Sequence, residues 1–254
     1  MADPMHQFQI APVIELPTVV LPVVGPVDLS ITNSVLAMLV AATLIILFFA
    51  LVTAKPKMVP GRLQTVGEGA FAFIDDLATS IMGHEGRAFF PFILTLFVFI
   101  LTLNLLGMFT VFTATSQVAV TATFAVLTIL LVIGVGFARN GIKFFKLFAP
   151  TGVPWYLLIL VTPIEFISFL LRPVSLALRL FGNMLGGHVA LKVFAGFVVS
   201  LGAFGIIGLP GAVLAMGGVV AITALEFLVA FLQAFVFAVL TTVYLNDVVH
   251  LDQH

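Results

Sequence analysis

Residues 31–54 read ITNSVLAMLVAATLIILFFALVTA, with no Asp, Glu, Lys, Arg or His among them. About twenty such residues, wound as a helix, cross the hydrocarbon core of a bilayer. The run begins after Ser30 and stops at Lys55, so it reads as a first transmembrane span. The rest of the 254-residue chain has the same character. It is 62% hydrophobic and only 8% charged, with a mean hydropathy of +1.29, a composition far outside that of soluble domains. The expected fold class is an all-α integral membrane protein, a single membrane domain over residues 1–254.

Charge excludes several functions at once. Ten Lys+Arg against eleven Asp+Glu leave no basic surface for nucleic acid. The absence of Cys removes disulfides, thiolate metal sites and cysteine nucleophiles. The first thirty residues carry Asp3, Glu15 and Asp28 but no Lys or Arg, so they are expected to be neither a secretory signal nor a transit peptide. Lys55, Lys57 and Arg62 follow the first span at once. That asymmetry puts segment 1–30 and the N-terminus outside, and the loop in the cytoplasm.

Over residues 63–82, Leu63, Val66, Ala70, Phe73, Ile74, Leu77 and Ile81 recur every three or four positions, with Glu68, Asp75 and Asp76 between them. This predicts an amphipathic helix over 62–85. Its polar face is acidic, whereas lipid-surface helices carry Lys and Arg there, so two placements stay open: the membrane interface, or packing on another protein segment. His84 and Glu85 close it as a solvated pair. Two further uncharged runs, 89–113 and 117–138, meet at a short polar turn near Ser116 and end at Arg139, Lys143 and Lys146. They predict a helical hairpin over 89–138, with both basic clusters on the cytoplasmic side.

After the break at Pro150, Gly152 and Pro154, Trp155 and Tyr156 mark a water–lipid interface. The chain then stays apolar to Leu201 apart from Glu165, Arg172, Arg179, His188 and Lys192. A Gly/Pro-rich turn, 202–211, leads into a second long run, 212–249, which carries Glu226, Gln233 and Asn246. Residues 154–250 thus predict two very long helices in a hairpin, too long for a perpendicular crossing, and therefore tilted or broken. Pro173 and Gly186–Gly187 are the expected bends. In all, about five membrane-embedded helices and one amphipathic helix are expected, with the C-terminus in the cytoplasm.

The chemistry sits in the last hundred residues. An ionisable group inside the hydrocarbon costs at least about 2.5 to 3.5 kcal/mol on insertion scales, so it persists where it pairs, lines water or acts on an ion. Arg172 and Arg179 are seven residues apart, hence within about 20° of each other on a helix, and Glu165 shares that face within about 40°. His188, nine residues after Arg179, turns to the opposite face. Asn183 is within reach of Arg179's turn, and Gly182 with Gly186 forms a small-residue patch that admits a close helix. Glu226, Gln233 and Tyr244 lie on one stripe of the last helix. Antiparallel packing of the two long segments lets Glu226 meet His188, as a proton-relay pair or as a buried ion pair. No HExxH, GxSxG or phosphate-loop pattern occurs, so hydrolysis is not indicated.

RPVSLALRLFGNMLGGH (172–188) and FLQAFVFAVLTTVYL (231–245), together with TPIEFIS (162–168) and NLLGM (104–108), resemble subunit a of rotary F-type ATP synthases. The resemblance covers nearly the whole chain. It implies that the last two helices lie against a ring of small c subunits, each bearing a membrane carboxylate, and that Arg179 is the stator arginine facing that ring. It further implies that His188, Glu226, Asn183 and Gln233 belong to an outer half-channel, Glu165 and Ser168 to a cytoplasmic one, and that Tyr244 lies on the proton path. In some members of that family the His and Glu of the 188/226 pair are exchanged, which favours direct contact between them. The implied partners are the c ring, b-type peripheral-stalk subunits, a soluble ATPase head, protons and the lipid bilayer. The implied location is a bacterial inner membrane rather than a mitochondrial one, and neither a cofactor nor catalysis by this chain itself is implied. A self-contained secondary transporter is the main competing reading. It predicts an internal repeat, and the two halves show no convincing similarity.

Overall fold

The computed structural model describes residues 12–14, 19–21, 25–27, 30–54, 56–109, 113–148 and 154–251. Lys55, the Pro150 and Gly152 of the expected break, and most of segment 1–30 lie outside the described residues. Among the described residues six α-helices follow one another: α1 (Asn33–Ala54), α2 (Arg62–Met82), α3 (Gly86–Phe109), α4 (Val118–Asn140), α5 (Trp155–Gly202) and α6 (Leu209–Val249). The protein is an all-α membrane protein, with five helical stretches long and apolar enough to span a bilayer. Four strands of two or three residues add to it. β1 (Pro12–Ile14) pairs antiparallel with β4 (Ile31–Thr32), and β2 (Val19–Leu21) with β3 (Gly25–Val27).

The helices form because their backbone groups bond internally, which an apolar solvent demands. Hydroxyls obey the same rule. Thr43, Thr53, Thr128, Thr223, Thr241 and Thr242 each donate to the carbonyl four residues back. On α1, Leu36, Leu39, Leu44, Ile46, Leu47 and Leu51 are exposed, as a lipid-facing helix requires.

Three boundaries differ from the sequence reading. The amphipathic helix stops at Met82. A 3-10 turn, Gly83–Glu85, then leads directly into α3 at Gly86, so residues 62–109 form one nearly continuous stretch. Gly83 takes φ +61, which favours glycine, and a Cβ on Gly86 would come within 2.6 Å of the Ala78 carbonyl oxygen. After α4, where a basic loop is expected, an eight-residue 3-10 segment (Gly141–Phe148) instead tucks Phe144 and Phe148 inward. Finally, α5 runs unbroken for 48 residues through Pro163, Pro173 and Gly186–Gly187. A proline already has helical φ and forfeits only one hydrogen bond, a loss that membrane helices tolerate. At 1.5 Å per residue a 48-residue helix is about 72 Å long, against about 30 Å of hydrocarbon, and no break interrupts it between Trp155 and Gly202.

The chain divides into two compact units, each drawn from three stretches. The first comprises Met1–Leu44, Ile100–Val120 and Leu180–Gln233. Its interior mixes apolar side chains such as Leu103, Leu180 and Met184 with the buried Asn104, Thr113, Thr115, Ser116, His188, Glu226 and Gln233. The second comprises Ile45–Phe99, Thr121–Arg179 and Ala234–His254. Its interior is apolar and aromatic. Phe148 packs edge-on against Phe166 and Phe169, Phe73 sits against Phe97 and Phe235, and Ile74, Ala78 and Met82 of α2 turn inward. Its buried polar side chains are threonine hydroxyls, from Thr121, Thr128, Thr241 and Thr242.

Candidate functional site

In the first unit, α5 and α6 bring His188 and Glu226 together, both only 8% exposed. His188 Nδ1 lies 3.8 Å from Glu226 Oε1. The other ring nitrogen, Nε2, lies 2.9 Å from the hydroxyl of Thr113, in the turn between α3 and α4. Neither oxygen of Glu226 has a hydrogen-bond partner among the described residues. An unpaired buried carboxylate is costly. Imidazole and carboxyl together hold one proton without adding net charge, and either group carries it at similar total charge. Gly187 makes the arrangement possible, since a Cβ there would come within 2.5 Å of Glu226 Oε1. Gly187 is thus the space into which the carboxyl fits.

One turn before His188, Asn183 Nδ2 donates to Gln233 Oε1 at 2.9 Å. Gln233 is buried, and its Nε2 has no hydrogen-bond partner among the described residues. Asn104, fully buried on α3, donates to the Ala230 carbonyl at 3.2 Å and so fixes α6 next to this pair. In the first unit, then, four predicted positions on α5 and α6 form a close pair, His188 with Glu226, and a hydrogen bond, Asn183 with Gln233.

In the second unit, Arg172 is held from several sides. Its guanidinium reaches Asp247 Oδ2 at 3.2 Å and Glu165 Oε1 at 3.5 Å. It also stacks over the rings of Tyr244 at 4.9 Å and Phe169 at 5.7 Å. Beside it opens a groove of about 430 Å³ lined by Ser168, Leu171, Arg172, Ser175 and Tyr244. Glu165, Ser168 and Tyr244 therefore belong to one neighbourhood. Earlier in the chain, Glu85 pairs with Arg139 at 2.6 Å rather than with its neighbour His84.

Arg179 takes part in none of these ion pairs. It is the last residue of α5 within the second unit, it is exposed, and no carboxylate among the described residues lies within ion-pair distance of it. Gly182 and Gly186, on the following two turns, have open space where a Cβ would be. The close helix that this small-residue patch invites is not supplied by the described residues of this chain.

Sequence reading missed two participants. Asp247 was passed over in the apolar tail of α6, although it is the charge that spacing would have to supply for Arg172. Thr113 lies in a turn, where a hydroxyl reads as solvated, yet it is 2% exposed. No periodic signal could have found it, because its partner is 75 residues away.

The chain was compared with known proteins. The family model described as ATP synthase A chain matches residues 35–246. ATP synthase subunit a of Hyphomonas neptunium is 52% identical over 99% of this chain and 98% of its own length. ATP synthase subunit a of Rhizobium johnstonii is 51% identical, covering 100% and 99%, and that of Agrobacterium fabrum is 53% identical, covering 98% of each. With an all-α membrane fold and a family match spanning most of its length, this chain belongs to the ATP synthase A chain family.

Proposed function

We propose that this chain is the proton-translocating stator subunit of an ATP synthase, offering two offset half-channels to the carboxylates of a rotating c ring, with Arg179 between them. One observation carries the reading: an exposed arginine in the middle of a 47-residue apolar stretch, with no carboxylate of the described chain to neutralise it. Such a charge costs at least about 2.5 kcal/mol in hydrocarbon, and a carboxylate brought by another chain offsets that cost. Gly182 and Gly186 provide the room for a partner helix.

A guanidinium stays charged, so it draws an approaching ring carboxylate into its ionised form and cannot pass the proton on. It acts as a barrier to protons and a partner to the rotor. His188, Glu226, Asn183 and Gln233 form the outer path, and Glu165, Ser168 and Tyr244, beside the groove at Arg172, form the cytoplasmic one. A proton from outside neutralises a ring carboxylate, which can then turn into lipid. After nearly a full revolution it is released to the cytoplasmic path. Each charge crossing 100 mV supplies about 2.3 kcal/mol, so several are collected mechanically for each ATP made in the soluble head. The chain itself does no phosphoryl chemistry.

The setting is a bacterial inner membrane crossed several times, with the N-terminus outside and the C-terminus in the cytoplasm. The partners are the c ring, b-type stalk subunits and the ATPase head; nucleic acid is not among them. Helix α2 lies at the cytoplasmic interface. The test of the outer path is an exchange: His188→Glu with Glu226→His, beside each single change, in inverted vesicles. The exchange recovers proton conduction better than either single variant; equal loss in all three would count against a working pair.

A further inference from the structure

The His188–Glu226 relay leaves one question of direction open: which imidazole nitrogen takes up the proton. We propose that Thr113 is a positioning residue that fixes His188 in the tautomer protonated on Nε2, leaving Nδ1, the nitrogen facing Glu226, as the proton-accepting atom. This rests on the reading of His188 and Glu226 as a relay.

A hydroxyl has one proton to give and lone pairs to accept with. Thr113 Oγ1 lies 3.2 Å from the Gly107 carbonyl oxygen and 2.9 Å from His188 Nε2. Gly107 is in the last turn of α3, where carbonyls have no donor from within the described helix, and Thr113 Oγ1 donates to this one. That carbonyl can only accept, so the Thr113 proton is committed to it. What faces Nε2 is therefore an oxygen lone pair, and Nε2 must bring the hydrogen. In the neutral ring this leaves Nδ1 unprotonated, 3.8 Å from Glu226 Oε1. The opposite tautomer would leave the Gly107 carbonyl without its donor and set an N–H against Glu226, so that His188 could not accept from it.

The turn is built to hold this hydroxyl in place. Ser116 Oγ donates to the Thr113 carbonyl at 2.6 Å and Ser116 N does so at 3.2 Å. A Cβ on Gly107 would come within 2.5 Å of Thr113 Cγ2, so only glycine lets the turn close this tightly against α3. Thr113, Thr115 and Ser116 are all buried, and no solvent-facing role accounts for their hydroxyls.

The test uses the assembled ATP synthase in its own membrane. Thr113→Val keeps the shape and removes the hydroxyl; Thr113→Ser keeps the hydroxyl. Passive proton conduction through vesicles stripped of the ATPase head falls about tenfold in Thr113→Val, the scale of one neutral hydrogen bond, and stays within about twofold in Thr113→Ser. The readout that a merely structural role would not move is the 15N spectrum of His188, assigned by its loss in His188→Gln. Neutral His188 shows the Nε2–H tautomer in the parent and in Thr113→Ser, and a mixture in Thr113→Val. An Nδ1–H tautomer in the parent overturns the proposal without any variant having to assemble, and so does undiminished conduction in Thr113→Val. His188→Gln separates the two levels of the argument. If it conducts like the parent, the relay itself fails and this proposal with it; if it does not conduct and Thr113→Val does, only the role of Thr113 is lost.

Discussion

Arg172 and Arg179 sit seven residues apart on α5, on nearly the same face of the helix, and their surroundings could hardly differ more. Arg172 has two carboxylates and two aromatic rings around it, all from this chain. Arg179 is exposed, without a carboxylate from the described residues, next to glycines that leave open space. The first arrangement is complete within the chain and serves to tie α5 to the end of α6. The second has no counter-charge among the described residues, and the proposed function assigns that counter-charge to another chain. Two arginines in apolar helices thus differ in whether the described residues of their own chain neutralise them.

That contrast can be sharpened by thermal unfolding of the purified chain in detergent. Arg172→Ala strands Glu165 and Asp247 and loses both ring contacts. The partly exposed pairs and the stacking together are worth about 2 kcal/mol, so Tm falls by about 5 °C. Arg179→Ala, which breaks no ion pair of the described chain, leaves Tm within about 1 °C of the parent. Equal losses would mean that Arg179 has a partner on its own chain.

A smaller effect separates two adjacent glycines. Gly187→Ala drives a methyl to within 2.5 Å of Glu226 Oε1 and costs about 1 kcal/mol or more, read as a lower Tm. Gly186→Ala meets nothing within 4 Å and leaves the chain as stable as before, or slightly more so. Its effect falls on assembly, so the yield of complex with the c ring drops while the Tm of the chain does not. A loss of chain stability in Gly186→Ala as large as in Gly187→Ala would remove the case for an external helix at that patch.

Much of this was legible from spacing. The spans at 31–54 and along α5 and α6 follow from runs longer than a bilayer needs, and the shared face of Glu165 and Arg172 follows from helical geometry, ending in a 3.5 Å contact. The meeting of His188 with Glu226 required only that α5 and α6 run antiparallel. Spacing fails where a contact depends on a turn, as with Thr113, or where a glycine's purpose lies across the interface, as with Gly187. At Pro173 the helix continues, because a proline forfeits only one hydrogen bond, a loss that membrane helices tolerate. The short strands before α1 carry no alternation strong enough to read in so few residues.

The central claim is that Arg179 acts on a charge carried by another chain and keeps two proton paths apart. It is tested most directly by ATP-driven and passive proton movement in inverted membrane vesicles carrying Arg179→Ala beside the parent. The account predicts that ATP-driven pumping is lost while passive proton leak through the membrane sector persists. Undiminished ATP-driven pumping in Arg179→Ala would contradict it.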